Sequence, residues 1–438
     1  MAAVMAPTRR RFLVAVAAAS SSLVLPDCRA ASPWPLRRPK SPADKMRLGV
    51  IGVAGRGGAN LSGVKGEDVV ALCDVDSIRL GNAQARFPDA KAFADFRELI
   101  AMPDLDGVVI STPDHTHYPP AMMAVRRGLD VYCEKPLTHT VAQARRLTEL
   151  AAKNGCVTQM GIQIHANENY RRVVEAIQAG VLGEVREVHV FVNGTNWSAS
   201  ELPKTAEVPE TLDWNLWLGP AAERAYSPDY HPAGWRRYWA FGGGTTADMA
   251  CHFMDLPFWA LDLGAPQEVQ AEGPEPSADG APRGMSCDYW FPAAEGRGPV
   301  RLKWWGGSSR PEQLLAERDL TKWRNGVLFV GERGFLISNY TEHALGPTEA
   351  FADYQAPAKT IASSPGHYAE WIACCKERTQ PTCHFGYSGP LTEAVLLANV
   401  AFRAARAERL EWDSAKLMTN SDRANEMLDV PMREGFDG

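Results

Sequence analysis

No stretch of this 438-residue sequence stays apolar for the ~20 residues that a membrane-spanning helix needs; the longest such run, Phe12 to Leu25, falls short of it. A bundle of membrane helices is thereby excluded. Cysteine is sparse, nine in all, with no C-x-x-C pair and no Cys/His spacing of the metal-binding kind, so no metal site is expected. Cys73, Cys133 and Cys156 fall on or beside predicted strands and read as buried thiols. Positive charge is also short: 46 basic against 52 acidic residues leave a net of −6, which argues against nucleic acid and anionic membrane surfaces as partners. There is no internal repeat and no low-complexity tract. What remains, 45% hydrophobic and 22% charged residues over a length too great for one ordinary core, describes a globular chain of two domains.

Thr8-Arg9-Arg10-Arg11-Phe12-Leu13 precedes the apolar run, and small residues at Cys28 and Ala30 suit cleavage after Ala30. The segment resembles the twin-arginine export signal of bacteria, whose machinery carries proteins that have already folded, often around a cofactor. The expectations are a signal peptide over 1–30, a mature chain of net charge −9 with no stable membrane insertion, and a periplasmic or otherwise exported bacterial location. Residues 31–45, rich in Pro, Ser and Arg without apolar periodicity, read as a linker.

From Met46 apolar runs alternate with helical patterns: strands over 47–53, 69–73, 107–111, 130–133 and 157–160, helices over 58–63, 78–86, 94–101, 117–127 and 140–154. Such alternation predicts an α/β domain over 46–165, a doubly wound parallel sheet with helices on both faces. Then comes a helix over 167–179, a strand over 185–193 and strands near 267–273, 286–292, 299–306, 327–331 and 334–338, whose spacing is antiparallel. This is a second, α+β domain over 166–415. Gly389-Pro390 is expected to open a last amphipathic helix, 391–407, that packs at the domain junction, leaving 416–438 as a tail.

The first strand runs into Gly52-Val53-Ala54-Gly55-Arg56-Gly57 and then a helix, the context in which backbone N–H groups at a helix N-terminus bind a pyrophosphate. Ala54 departs from the G-x-G-x-x-G pattern at its second glycine. Asp74, after the second strand and 22 residues beyond Gly52, suits the two hydroxyls of an adenosine ribose and would repel a 2′-phosphate, so NAD is preferred over NADP. Thr112-Pro113-Asp114-His115-Thr116-His117 and Glu134-Lys135-Pro136 close two further strands at the carboxyl ends, where open parallel sheets bind ligands.

These motifs, together with Gly161-Ile-Gln163-Ile-His165 and Asp248-Met-Ala-Cys-His252, resemble the glucose-fructose oxidoreductase, inositol dehydrogenase and rhizopine-catabolism (Gfo/Idh/MocA) family over residues 46–410. The resemblance implies an N-terminal Rossmann domain, a large open-faced, mostly antiparallel sheet through which copies of the chain pair as homo-oligomers, and a catalytic group mapping to Lys135, Asp248 and His252. Bound cofactor would contact Gly52, Ala54, Gly55, Arg56, Gly57, Asp74, Thr112, Pro113, His117, Glu134 and Lys135. Chemistry assigns the same roles: His252 as base for a hydroxyl proton, Lys135 as positive charge where alkoxide develops, and Asp248, four residues before His252 on one helix face, to orient the imidazole or grip a hydroxyl. Asp255 continues that face. The aromatic and Arg-rich stretch 213–239 offers faces and forked donors for a sugar, with His165, Tyr230, His231, Trp235 and Arg236 as candidate lining. Three functions compete: hydride transfer to or from a sugar or cyclitol hydroxyl carbon, glycoside hydrolysis by transient C3 oxidation with His165, His231, Tyr230 or Lys135 removing the C2 proton, and a catalytically silent carbohydrate-binding protein.

Overall fold

The computed structural model describes residues 38–437, so the expected signal peptide and the first part of the linker lie outside the described residues. Six strands, β1 (Arg47–Ile51), β2 (Asp68–Cys73), β3 (Lys91–Phe93), β4 (Gly107–Ile110), β5 (Asp130–Glu134) and β6 (Thr158–Gly161), pair in parallel in the order β3-β2-β1-β4-β5-β6. Between them run α1 (Arg56–Gly63), α2 (Ser77–Gln84), α3 (Phe96–Ala101), α4 (Tyr118–Arg126) and α5 (Val141–Lys153). Polar side chains set where the helices begin: Asp76 accepts from the amides of Ile78 and Arg79, Asp95 from Arg97 and Thr140 from Gln143. Helices cover both faces, so Leu48, Val50, Val108, Val109 and Val131 are fully buried. The strand order reverses between β1 and β4, which opens a crevice above their carboxyl ends. In this domain only β3 escaped the sequence reading, since its three residues form no apolar run.

The second domain runs α6 (Glu168–Gln178), β7 (Val185–Asn193), α7 (Trp214–Leu218), α8 (Gly244–Ala260), β8 (Glu268–Glu272), β9 (Gly284–Phe291), β10 (Val300–Gly307), α9 (Glu312–Ala316), β11 (Asn325–Gly331), β12 (Gly334–Ser338), β13 (His343–Gly346), α10 (His367–Glu377), α11 (Phe385–Ala405), β14 (Leu410–Asp413), β15 (Met418–Thr419) and α12 (Asp422–Leu428). Nine strands form one sheet in the order β13-β12-β11-β7-β10-β9-β8-β14-β15, with β7 and β10 parallel and the other pairs antiparallel. α8 and α11 pack on the face that buries Val188, Val190, Leu302 and Trp304. On the other face Leu315, Leu320 and Trp323 cover Phe191, Leu328 and Ile337, while Arg301 and Lys303 meet Asp288 at 2.8 and 2.9 Å beyond them.

Two expectations change. The last long helix begins at Phe385, not after Gly389-Pro390: the His384 side chain caps it by accepting from the Gly386 amide, and Pro390 lies inside the helix. Gly389 instead permits close packing, since a Cβ there would lie 2.2 Å from Thr148 Oγ1 on α5. Residues expected as a C-terminal tail carry β15 and α12, capped by Ser421, and Arg433 donates to the Gly219 carbonyl at 3.0 Å.

Candidate active site and cofactor site

The glycine loop sits above β1 in the switch-point crevice. A Cβ at Gly57 would lie 2.0 Å from the Gly52 carbonyl oxygen, so α1 can start this close to β1 only with glycine there. Ala54 is accommodated because the left-handed residue is its neighbour Gly55, with φ of 55° and nothing within 4 Å of where a Cβ would stand. That leaves open space before the N-terminus of α1, and the buried Thr112 Oγ1 beyond the end of β4 has no hydrogen-bond partner among the described residues. A loop of free backbone donors and an unpaired hydroxyl fit a dinucleotide. Asp74 ties this loop to its neighbour: its carboxylate accepts from the Val53 and Asp76 amides, both at 3.0 Å, while burial pushes its pKa up. Each oxygen keeps a second acceptor position for a ribose hydroxyl. Asp74→Ala removes charge-assisted bonds worth about 1.5–3 kcal/mol each. We expect it to weaken NAD binding at least tenfold and to narrow the preference over NADP; titrations showing both affinities unchanged would remove Asp74 from the ribose site.

At the end of β5, Lys135 Nζ donates to Asp248 Oδ1 at 2.7 Å and to the Asp248 carbonyl. Arg236 Nε reaches the same Oδ1 at 3.2 Å, and Trp197 Nε1 donates to Oδ2 at 2.8 Å. Both oxygens of Asp248 are therefore engaged. Burial pulls the Lys135 pKa down, but Asp248 and Asp114 more than offset it, so the amine is held as ammonium. Burial opposes the charge on Asp248 too, yet Lys135 and Arg236 hold that carboxyl well below its usual range. Asp114, buried beside them, is pushed up to about 7 by desolvation. His252, one helical turn beyond Asp248 on α8, is pushed down to about 3 by burial and by Lys135, so its ring is neutral over the working range. No hydrogen bond among the described residues fixes that ring, and Tyr340 lies 6.4 Å from it, edge on. A cavity of about 1600 Å³ opens next to this turn of α8, lined by Met249, Phe253, Asn339, Tyr340 and His343.

Two family models match this chain: the oxidoreductase family's NAD-binding Rossmann fold over residues 46–162, and its C-terminal alpha/beta domain over residues 166–290. Together they cover more than half of it. The chain belongs to the Gfo/Idh/MocA oxidoreductase family. Among curated relatives, the inositol 2-dehydrogenase of Salmonella typhimurium is 30% identical over 36% of this chain and 48% of its own length. Inositol 2-dehydrogenase 1 of Saccharopolyspora erythraea is 32% identical over 40% of this chain and 54% of its own. The chain thus spans about half the length of the curated relatives it matches. Among solved structures, the WlbA dehydrogenase of Bordetella pertussis, in complex with NADH and UDP-GlcNAcA, superposes with a TM-score of 0.60 at 19% identity, covering 84% of this chain and 98% of its own. The aldose-aldose oxidoreductase of Caulobacter crescentus, complexed with glycerol, gives 0.55 at 15% identity over 84% and 99%. At these identities the likeness is one of fold.

Several residues singled out in this Gfo/Idh/MocA sequence have other duties. His117 is buried with both ring nitrogens 2.8 Å from carbonyl oxygens, of Pro136 and Thr112; as a neutral ring it donates to one of them, and it offers a cofactor no exposed nitrogen. Glu134 is likewise buried, accepting from Asn60 at 2.9 Å and Gln163 at 2.8 Å. His165 lies in the core, stacked on Trp259 with Nδ1 2.8 Å from Asp255, whose carboxylate also accepts from Tyr387 at 2.7 Å. Asp255 is thus committed inside the fold. Tyr230 and Trp235 belong to a buried aromatic cluster with Trp217, Tyr238 and Phe241. Trp235 does serve the site indirectly, as the ring 4.2 Å beneath the Arg236 guanidinium. Asp248 grips Lys135 and Arg236 and does not orient the imidazole. Of the bases considered for a C2 proton, His165 and Tyr230 are walled off and Lys135 is charged, which leaves His231, partly buried 3.9 Å from Asp76. Sequence reasoning missed Trp197 and the raised pKa of Asp114; the one was a lone aromatic in a patternless loop, and the other comes from burial, which a motif does not show.

Proposed function

We propose that this protein is an exported oxidoreductase that moves hydride between a firmly held NAD and a hydroxyl carbon of a sugar or cyclitol. The reading is carried by the Lys135 ammonium, held by Asp248 at the carboxyl end of β5, with a neutral His252 one turn along the same helix. Bound NAD supplies the hydride acceptor or donor; the chain supplies the proton chemistry. His252 accepts the hydroxyl proton as the C–H bond breaks, and Lys135 meets the negative charge that gathers on oxygen. The Gly52 to Gly57 loop and Asp74 hold pyrophosphate and ribose, with Thr112 alongside. Relatives named for inositol, and a fold neighbour crystallised with NADH and levoglucosan, support a polyhydroxylated substrate.

Export rests on the Arg9-Arg10-Arg11-Phe12-Leu13 segment. Outside the cytoplasm free NAD is scarce, so the cofactor must stay bound and be restored within the cycle, as when one sugar is oxidised and another reduced. The test is direct. Protein purified by gel filtration is denatured and its supernatant assayed for nicotinamide, then fresh protein is offered free sugars, cyclitols and nitrophenyl glycosides. Near-stoichiometric nicotinamide, with absorbance change on a free sugar or cyclitol and no aglycone release, is the expected result. Absence of nicotinamide together with no micromolar binding on adding it back refutes the reading; steady aglycone release with only transient reduction assigns the hydrolase instead.

A further inference from the structure

The aromatic stretch that the sequence marked as sugar-binding is a separate lobe, seated on the first domain. Leu212 forms an antiparallel bridge with Asp76 just after β2: the Ser77 amide donates to the Thr211 carbonyl at 2.8 Å and the Asp213 amide to the Val75 carbonyl at 2.9 Å. Thirty residues on, the same lobe meets the loop after β4. There the His115 amide donates to the Phe241 carbonyl at 3.3 Å, the His115 ring lies 3.0 Å from the Trp217 carbonyl, and it packs against the Trp217 and Phe241 rings at 5.1 and 4.9 Å. Gly219 comes so near Thr116 that a Cβ would stand 2.7 Å from its methyl group. Inside, Trp214 stacks on Trp217 at 4.6 Å and Tyr230 meets Tyr238 and Phe241 edge on at 4.9 Å, so the lobe has an aromatic core of its own. Arg433 fastens its outer side, donating to Asn215 and Gly219.

Strand order gives these anchors their meaning. β1 lies between β2 and β4, and the glycine loop follows β1, so a lobe tied to the loops after β2 and after β4 straddles the loop that receives the pyrophosphate. Asp74, the ribose carboxylate, stands two residues before the bridged Asp76. We infer that residues 209–242 form a clasp over the adenosine half of the cofactor, contributed by the second domain, and that parting the Asp76–Leu212 bridge is the step that limits NAD release. This rests on the proposed function, and it explains how a chain carried across a membrane would keep its cofactor without a covalent link: escape requires separating the lobe from the first domain.

Asp213 lets the clasp be cut at one atom. Its φ of −77° suits proline, Leu212 before it is already extended, and proline removes the N–H that reaches Val75. Asp213→Ala loses the same side chain, including its cap on Leu216 at 2.9 Å, but keeps that N–H. Full-length protein loaded with NADH and chased with excess NAD should release NADH at least tenfold faster from Asp213→Pro than from Asp213→Ala, followed by tryptophan-sensitised NADH fluorescence. Equal release from the two variants overturns the clasp. On the parent protein, NADH should slow hydrogen exchange at the Ser77 and Asp213 amides; exchange unchanged by bound NADH overturns it as well, even should the proline variant fold poorly. A parent that binds no NADH overturns the nicotinamide reading itself, and the clasp falls with it.

Discussion

The Lys135→Met protein is expected to keep its fold and its bound nicotinamide and to lose turnover by about 10²–10³-fold, the usual loss when an electrostatic stabiliser of a developing oxyanion is removed. Methionine fills much of the lysine's volume, and Arg236 and Trp197 remain on Asp248, so the carboxylate is not left unpaired. Asp248→Ala would be the harsher change, because Lys135 and Arg236 would lose the carboxylate that both contact and keep only Asp114 as a buried counter-charge. His252→Ala is expected to cost about 10²–10⁴ in rate by removing the proton acceptor. Because burial keeps the His252 pKa near 3 and not near the ordinary 6.5, the parent's kcat/KM should show no falling limb centred near 6.5 in the oxidation direction. Steady-state rates, nicotinamide content and melting curves on each variant separate chemistry from folding. If both variants turn over a substrate within tenfold of the parent, the catalytic assignment is wrong.

What the sequence made legible here is what local pattern controls. Strands over 185–193 and 334–338 match residue for residue, because alternation is fixed by neighbours along the chain. The Gly52 loop was marked by a motif whose spacing is itself the geometry, whereas Lys135 and Asp248, 113 positions apart, were paired only by a family resemblance. Residue type alone could not say which way a side chain faces: His165 and Tyr230 have the chemistry of sugar ligands, yet one is sealed against Asp255 and the other in an aromatic core. Nor could it reveal partners distant in the chain. Trp197 acquires its role from Asp248, 51 positions away, and His115 from the lobe ending at Phe241. Terminal elements such as β14, β15 and α12 are too short to show a period; they exist because α11 and β8 offer them a surface.

Acid should destabilise this protein between about pH 6 and pH 4. Burial holds His115, His252 and His367 at about 3 and His117 and His139 at about 4, against 6.5 for an exposed imidazole. Below 6.5 the unfolded chain takes up a proton at each of these five positions, whereas the folded chain does so only near 3 to 4. Stability that rests on the neutral ring is therefore present above 6.5 and lost as the pH falls toward 4. Raised acids work the other way. Asp114, at about 7, already carries a proton in the folded state that the unfolded chain binds only near 3.8, and Asp74, Glu134 and Glu393, raised by burial, act in the same sense. Four acids offset at most four of the five histidines, so unfolding takes up at least one net proton. That proton is worth about 1.4 kcal/mol per pH unit. Over two units this is about 3 kcal/mol, a sizeable part of the ~5–15 kcal/mol that holds a typical domain together. Denaturant titrations at pH 7, 6 and 5 at fixed ionic strength should show midpoints falling at each step. His367→Gln should lessen the fall by about one proton, since burial, with a smaller push from His165, lowers that ring and its Nε2 has no partner among the described residues. Stability that stays level or rises from pH 7 to pH 5 would mean that these imidazoles are charged in the fold, and His252 would then not be the neutral base.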